Sequence, residues 1–298
     1  VALHLLRVGR CRHPEWVTLR GGRFRIIDFP ALVALIVHPT AGPILYDTGY
    51  ADHFAAATAP LPERLYRWLT PVHLPPEERL AAQLGRLGVR LEDVERVLIS
   101  HLHADHVAGL RDLPRAGFLA LQKDVAILAG KAGDSVRRLG RAWQALRCGI
   151  LPALLPPDFQ ARLGLVDDRP VVDLDAAWAP FERGYDLLGD RSLIGIPLPG
   201  HSPAQLGVLL RTEDDRDVLL AADACWSARA WREQRLPSIL ARPLFADWGA
   251  YRKTLAGVRR IATRHPDLEI IPSHCTASFE AFVERAEAQA GRSLGARG

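Results

Sequence analysis

Residues 101 to 106 read His-Leu-His-Ala-Asp-His, three imidazoles and a carboxylate in six positions. The apolar run Val94–Ser100 comes directly before them, so the cluster leaves the end of a short buried strand. In an extended start His101 and His103 project to the same side, and Asp105 and His106 follow the turn to face a neighbouring point. Imidazole suits zinc, iron and related ions, and a carboxylate adds a hard oxygen ligand. A cluster this dense after a strand points to a metal site rather than a solvated loop.

Three later positions offer the same chemistry. His201 sits in Leu198-Pro199-Gly200-His201-Ser202-Pro203, where Pro and Gly impose a sharp turn. Asp223 closes the apolar strand Val218–Ala222, and His274 follows the strand Glu269–Ile271 within Ile271-Pro272-Ser273-His274. Taken singly, each reads as an ordinary loop or core residue. Four strand ends that each present a ligand type argue for one convergent set.

The elements that must bring these ends together alternate along the chain. Arg23–Phe29, Ala31–Val37 and Pro43–Tyr46 read as successive strands, and Leu80, Leu84, Leu87 and Leu91 recur at helical spacing. Strands resume at Gly117–Leu121, Ser192–Leu198 and Leu206–Arg211. Helices are marked late by Leu255, Val258 and Ile261, and by Phe279, Phe282, Val283 and Ala286. Strands and helices mixed in this order predict helix packed on sheet. No Gly/Ser linker divides the chain, so the expectation is one domain over 1–298, with insertions near 52–76 and 123–190. The first insertion is expected to carry a short helix near Pro62–Leu69, the second several helical segments. Such long connections serve as lids or binding walls, or merely pack on the scaffold or a second subunit, which leaves a homodimer open.

The motifs resemble those of the metallo-β-lactamase superfamily. HLHADH is an instance of its H-x-H-x-D-H signature, and PGHSPAQ, the aspartate of LLAADAC, the histidine of IIPSHC and the LYDTG segment look like its other landmarks. The resemblance implies an α/β fold, an αβ/βα sandwich of two mixed sheets flanked by helices, with metals at one edge. It also implies two divalent metal ions, zinc first, with iron, manganese or cobalt as alternatives. The first would use His101, His103 and His201, the second Asp105, His106 and His274, with Asp223 bridging both. Asp47 would orient a histidine through its other ring nitrogen, or else cap its own turn.

Within the superfamily the nearest likeness is to N-acyl homoserine lactonases, which implies a small acyl substrate and quorum-quenching chemistry. Two cations sharing a water lower its pKa toward neutrality, so no Ser or Cys nucleophile is needed. Asp105 is the candidate to pass a proton to the leaving alkoxide, unless a metal-bound water does so. Ser202 either bonds substrate or caps a turn. Those lactonases tend to carry a tyrosine where this chain has Trp226; an indole donates one hydrogen bond but shuttles no proton, so Trp226 either binds substrate or packs. Trp68, Trp143, Trp178 and Trp231 are further candidates for an apolar acyl pocket. Cys225 and Cys275 flank metal ligands and read as small buried residues, with zinc-thiolate ligation the lesser alternative.

Bulk properties narrow the field further. Of 298 residues, 48% are hydrophobic and 24% charged, which fits an ordinary globular core. The net charge of +4 is spread over scattered arginines, unlike a nucleic-acid reader. Four widely spaced cysteines form no disulfide framework, no leader is visible, and the longest apolar run is too short to span a bilayer, so a cytoplasmic enzyme is expected. Rival readings in the same fold are a thioesterase resembling glyoxalase II and an iron-dependent redox enzyme. Little follows His274 beyond one helix, which weakens the first.

Overall fold

A computed structural model describes residues 1–129 and 149–295. One sheet holds β1 (Ala2–Pro14), β2 (Ile26–His38), β3 (Gly42–Tyr46), β4 (Val72–His73), β5 (Arg96–Leu98), β6 (Gly117–Ala120) and β7 (Leu163–Leu165), in the order β4-β1-β2-β3-β5-β6-β7. The other holds β8 (Val171–Asp173), β9 (Arg183–Asp186), β10 (Leu193–Pro197), β11 (Leu206–Arg211), β12 (Asp217–Ala222) and β13 (Glu269–Pro272), in the order β13-β12-β11-β10-β9-β8. Both mix parallel and antiparallel pairs.

Period-two alternation sets the layers. On β2, Ala34 and Ile36 pack against Leu206, Val208 and Leu220 of the second sheet, while Val33 and Leu35 face outward to Leu80 and Leu84 of the helix Leu80–Arg86. Outside the second sheet, Val258 and Ile261 of the helix Trp248–Arg264 cover Leu219 and Ala221. Each fully buried Leu or Ile contributes about 1.5–3 kcal/mol relative to exposure. Tyr46 ties the layers by donating its hydroxyl to the Leu206 carbonyl at 2.7 Å. The result is the expected αβ/βα sandwich.

Three details depart from the sequence reading. Arg23–Phe29 and Ala31–Val37 are not two strands: one strand runs from Ile26 through Pro30 to His38. Pro30 fits because the β1–β2 register shifts between Arg7 and Arg10, a bulge where its missing N–H breaks no ladder bond. The same bulge hid β1, since it shifts the alternation of Leu6 and Val8 out of phase with Cys11. The described part of the second insertion carries short helical segments as expected, such as Phe159–Arg162, and in addition supplies β7 to one sheet and β8 and β9 to the other. Trp143 and Cys148 lie outside the described residues.

Candidate metal centre

The ligand candidates leave the ends of β5, β10, β12 and β13 and meet at one edge of the sandwich. His101 follows β5, and the short helix Ala104–Val107 turns Asp105 and His106 back toward it. Gly200 takes φ 134° beside the helix Trp248–Arg264, where a Cβ would lie 2.2 Å from the Tyr251 nitrogen. Glycine is therefore required to aim His201. Asp47 and Ala222 both hold left-handed backbone, φ 63° and 46°, at the turns that set Asp47 itself and Asp223. For an alanine that conformation costs about 1–2 kcal/mol, strain typical of functional turns.

Three groups of side chains have their ligand atoms within 4.8 Å of one another: His101 with His103 and His201; His101 with His106 and Asp223; Asp105 with His106 and His274. His201 Nε2 lies 2.9 Å from His103 Nδ1 and 3.1 Å from Asp223 Oδ2. The other Asp223 oxygen, Oδ1, lies 3.1 Å from His274 Nε2 and 3.6 Å from His106 Nε2. Asp105 reaches His274 Nε2 at 3.5 Å and His106 Nε2 at 3.8 Å. All seven residues thus converge, with Asp223 between the two histidine sets.

Surrounding groups fix the ring orientations. Asp47 Oδ2 takes the His106 Nδ1 proton at 2.7 Å, Ser100 Oγ is 3.0 Å from His101 Nδ1, and His274 Nδ1 donates to the Pro30 carbonyl at 2.6 Å. Each contact turns the ring's Nε2 inward, an arrangement that sets ligand geometry in metal sites. His101 Nε2, His106 Nε2 and Asp223 Oδ1 are buried with no hydrogen-bond partner. Unpartnered polar atoms of this kind, grouped around one point, suit a divalent cation that would take the place of any proton on the imidazoles.

Charge follows position. Burial drives His101 and His201 well below the usual imidazole range, so both are neutral. Burial also opposes charge on His106, yet Asp47, Asp105 and Asp223 outweigh it and raise His106 to about 10. His274 rises as well, burial being overcome mainly by Asp223. Asp223 is buried, but the charge and hydrogen bond of His274 outweigh that and hold its carboxyl well below the usual carboxylate range.

A cavity opens over the cluster, its wall shared by His103, Asp105, Asp223 and His274 with Phe29, Trp226 and Leu244. Trp226 is on that wall, but its indole N–H is engaged by Asp223 Oδ2 at 2.8 Å. Trp68, Trp178 and Trp231 do not line it; Trp178 stacks on His265 and Trp68 is mostly exposed. Ser202 is buried and off the wall. Cys225 is buried, which pushes its thiol up, and neither it nor Cys275 joins a ligand group among the described residues.

Sequence reasoning missed Asp124, a buried carboxylate that accepts the Ala204 and Gln205 amides at 3.1 and 2.7 Å and so pins the loop carrying His201. Its position just past β6 was one more strand-end carboxylate, and that signal was available. Pro30 offered none, because its role is played by a backbone carbonyl.

Residues 26–264 match the family model of the metallo-beta-lactamase superfamily. The chain belongs to that superfamily. Superfamily relatives include an N-acyl homoserine lactonase of Azorhizobium caulinodans, 26% identical over 81% of this chain and 82% of the relative. A second, from Agrobacterium fabrum, is 24% identical over 96% and 98%. Among solved structures, an N-acyl homoserine lactone hydrolase with N-hexanoyl-L-homoserine bound at its catalytic metal centre superposes with TM-score 0.68 at 16% identity, covering 94% of this chain and 95% of that one. A dizinc quorum-quenching lactonase superposes with TM-score 0.60 at 15% identity, covering 92% and 87%. The metallo-beta-lactamase fold, which implies divalent metal ions, and an enzyme of the metallo-hydrolase class are thereby established for this chain. No helix among the described residues is long and apolar enough to cross a membrane.

Proposed function

We propose that this chain is a dinuclear metal-dependent lactonase acting on N-acyl homoserine lactones or closely related esters. The observation that carries this reading is the buried, partnerless set His101 Nε2, His106 Nε2 and Asp223 Oδ1 beneath a mainly apolar cavity. His101, His103 and His201 would hold one ion and Asp105, His106 and His274 the other, with Asp223 shared. Bound there, two cations supply an activated water and polarise an ester carbonyl at neutral pH.

The chain's own residues do the rest. Asp47, Ser100 and the Pro30 carbonyl keep three imidazoles oriented. Phe29, stacked on His274 at 4.0 Å, walls off water and offers an apolar surface to an acyl chain. Asp105 faces the cavity and is the carboxylate placed to take a proton from the attacking water and pass it to the leaving oxygen. Trp226 packs and steadies Asp223 rather than bonding substrate. The described cysteines, Cys11, Cys225 and Cys275, are free and buried, in keeping with a cytoplasmic enzyme.

Metal analysis of the purified protein, paired with hydrolysis assays on lactones, esters and thioesters, tests the reading. Two metals per chain and lactone turnover abolished by His106→Ala are expected. Oxygen-consuming activity with one iron per chain would sink it.

A further inference from the structure

Apart from the ligand candidates, the polar side chains on the cavity wall are His13, Thr18, Tyr66, Thr70 and Trp226, and two of them are already engaged. Trp226 gives its N–H to Asp223, and Thr18 gives its hydroxyl to the Glu15 carbonyl at 3.1 Å. Tyr66 differs. It stands on the helix Glu63–Leu69, inside the first insertion, its ring edge-on to Phe54 at 6.1 Å. Its side chain lines the cavity together with Asp105, Asp223 and His274. The hydroxyl makes no hydrogen bond to any other described residue. Burial, with the charge of Asp105 adding to it, pushes the phenol well above its ordinary range. Tyr66 therefore presents a protonated hydroxyl on the cavity wall that the ligand candidates share. The hydroxyl opens to the cavity instead of being sealed in the core, so an incoming substrate oxygen can accept from it without displacing a protein partner.

We propose that Tyr66 is a catalytic residue, its phenol O–H donating a hydrogen bond to an oxygen of the scissile ester as negative charge gathers there, with no transfer of the proton. A donor placed in advance where charge develops stabilises the transition state more than the ground state. The inference rests on the hydrolase reading above and deepens it: the first insertion is part of the active site and not only a cover.

Tyr66→Phe keeps the ring against Phe54 and removes only the hydroxyl. The metal-loaded full chain is assayed on N-hexanoyl homoserine lactone, an alkyl lactone, p-nitrophenyl acetate and a thioester. On the best of these, kcat should fall on the order of a hundredfold. KM should change by less than about threefold, as expected for a contact made in the transition state. Bound metal and thermal midpoint should stay those of the wild type. Tyr66→Leu, which also removes the ring, should lose stability with little further loss of kcat. An unchanged kcat in Tyr66→Phe overturns the assignment, and so does a loss of activity matched by a loss of bound metal. A wild type active on the acetate ester but on no lactone removes the lactonase reading alone, and the fate of Tyr66 is then read from the ester. A wild type inert toward all four overturns both.

Discussion

Asp47 Oδ2 lies 2.7 Å from His106 Nδ1, while Asp47 Oδ1 takes the Ser100 amide at 2.8 Å. One fully buried carboxylate thus ties the turn after β3 to both ends of the ligand loop. It fixes which nitrogen of His106 faces inward.

Asp47→Ala should therefore weaken metal binding by about 10–100-fold, the usual consequence of losing a partner behind a ligating histidine. Competition with a chelator, followed by metal analysis, measures this directly. An affinity equal to wild type would reduce Asp47 to a turn residue.

Metal loading should release protons, and affinity should rise with pH. His106, raised to about 10, carries a proton at neutral pH that a cation must displace, and the upward shift of His274 adds in the same direction. Calorimetry in buffers of different ionisation enthalpy counts them, and a count near zero at pH 7 contradicts the scheme. The same shift acts on stability. Its folded value stands above the ordinary 6.5, so the His106 contribution is full below pH 6.5 and is lost as pH rises through about 10. The metal-free protein should accordingly lose thermal stability between pH 7 and 10, more steeply than the loaded form.

Much of this was legible from residues alone, for a physical reason. His101, His201, Asp223 and His274 each follow an apolar run, and a buried strand's end has few directions in which to send a polar side chain. Pro30 and Tyr66 were not legible in the same way. Pro30 acts through a carbonyl, which every residue has, and its place in β2 depends on a bulge in a different strand. Tyr66 lies in an insertion whose path over the cavity no local pattern encodes. Trp226 was half legible: its position on the wall followed from its nearness to Asp223, but not the bond that occupies its N–H.

Trp226→Phe retains most of the contact with Phe29 and Phe245 and deletes that bond to a buried carboxylate. A hydrogen bond to a charged group contributes about 1.5–3 kcal/mol, so metal-free protein should be destabilised by roughly that amount. Denaturant titration checks it. If stability is unchanged and lactone KM rises instead, the indole binds substrate after all.

Asp124→Ala strands the amides of Ala204 and Gln205, at about 1–3 kcal/mol for each buried orphan. Loosening of the His201 loop should lower metal affinity at the same time. Burial raises the Asp124 carboxyl to about 6, the two amides pulling the other way. Because that lies above its ordinary 3.8, its contribution to stability is greatest below pH 3.8 and is lost as pH rises through about 6. The variant should lack that component when thermal midpoints are compared from pH 4 to 7. A profile parallel to wild type would mean that the carboxyl is not shifted.

The bond from His274 to the Pro30 carbonyl joins residues 244 positions apart. A nascent chain cannot assemble the full cage until nearly its whole length has emerged and β13 has docked beside β12. Truncations before residue 274 should therefore never hold the complement of metal that the intact chain does, however well their first sheet folds. On the proposed two-ion reading, loading of the complete cage is thus expected only after the last strand has docked.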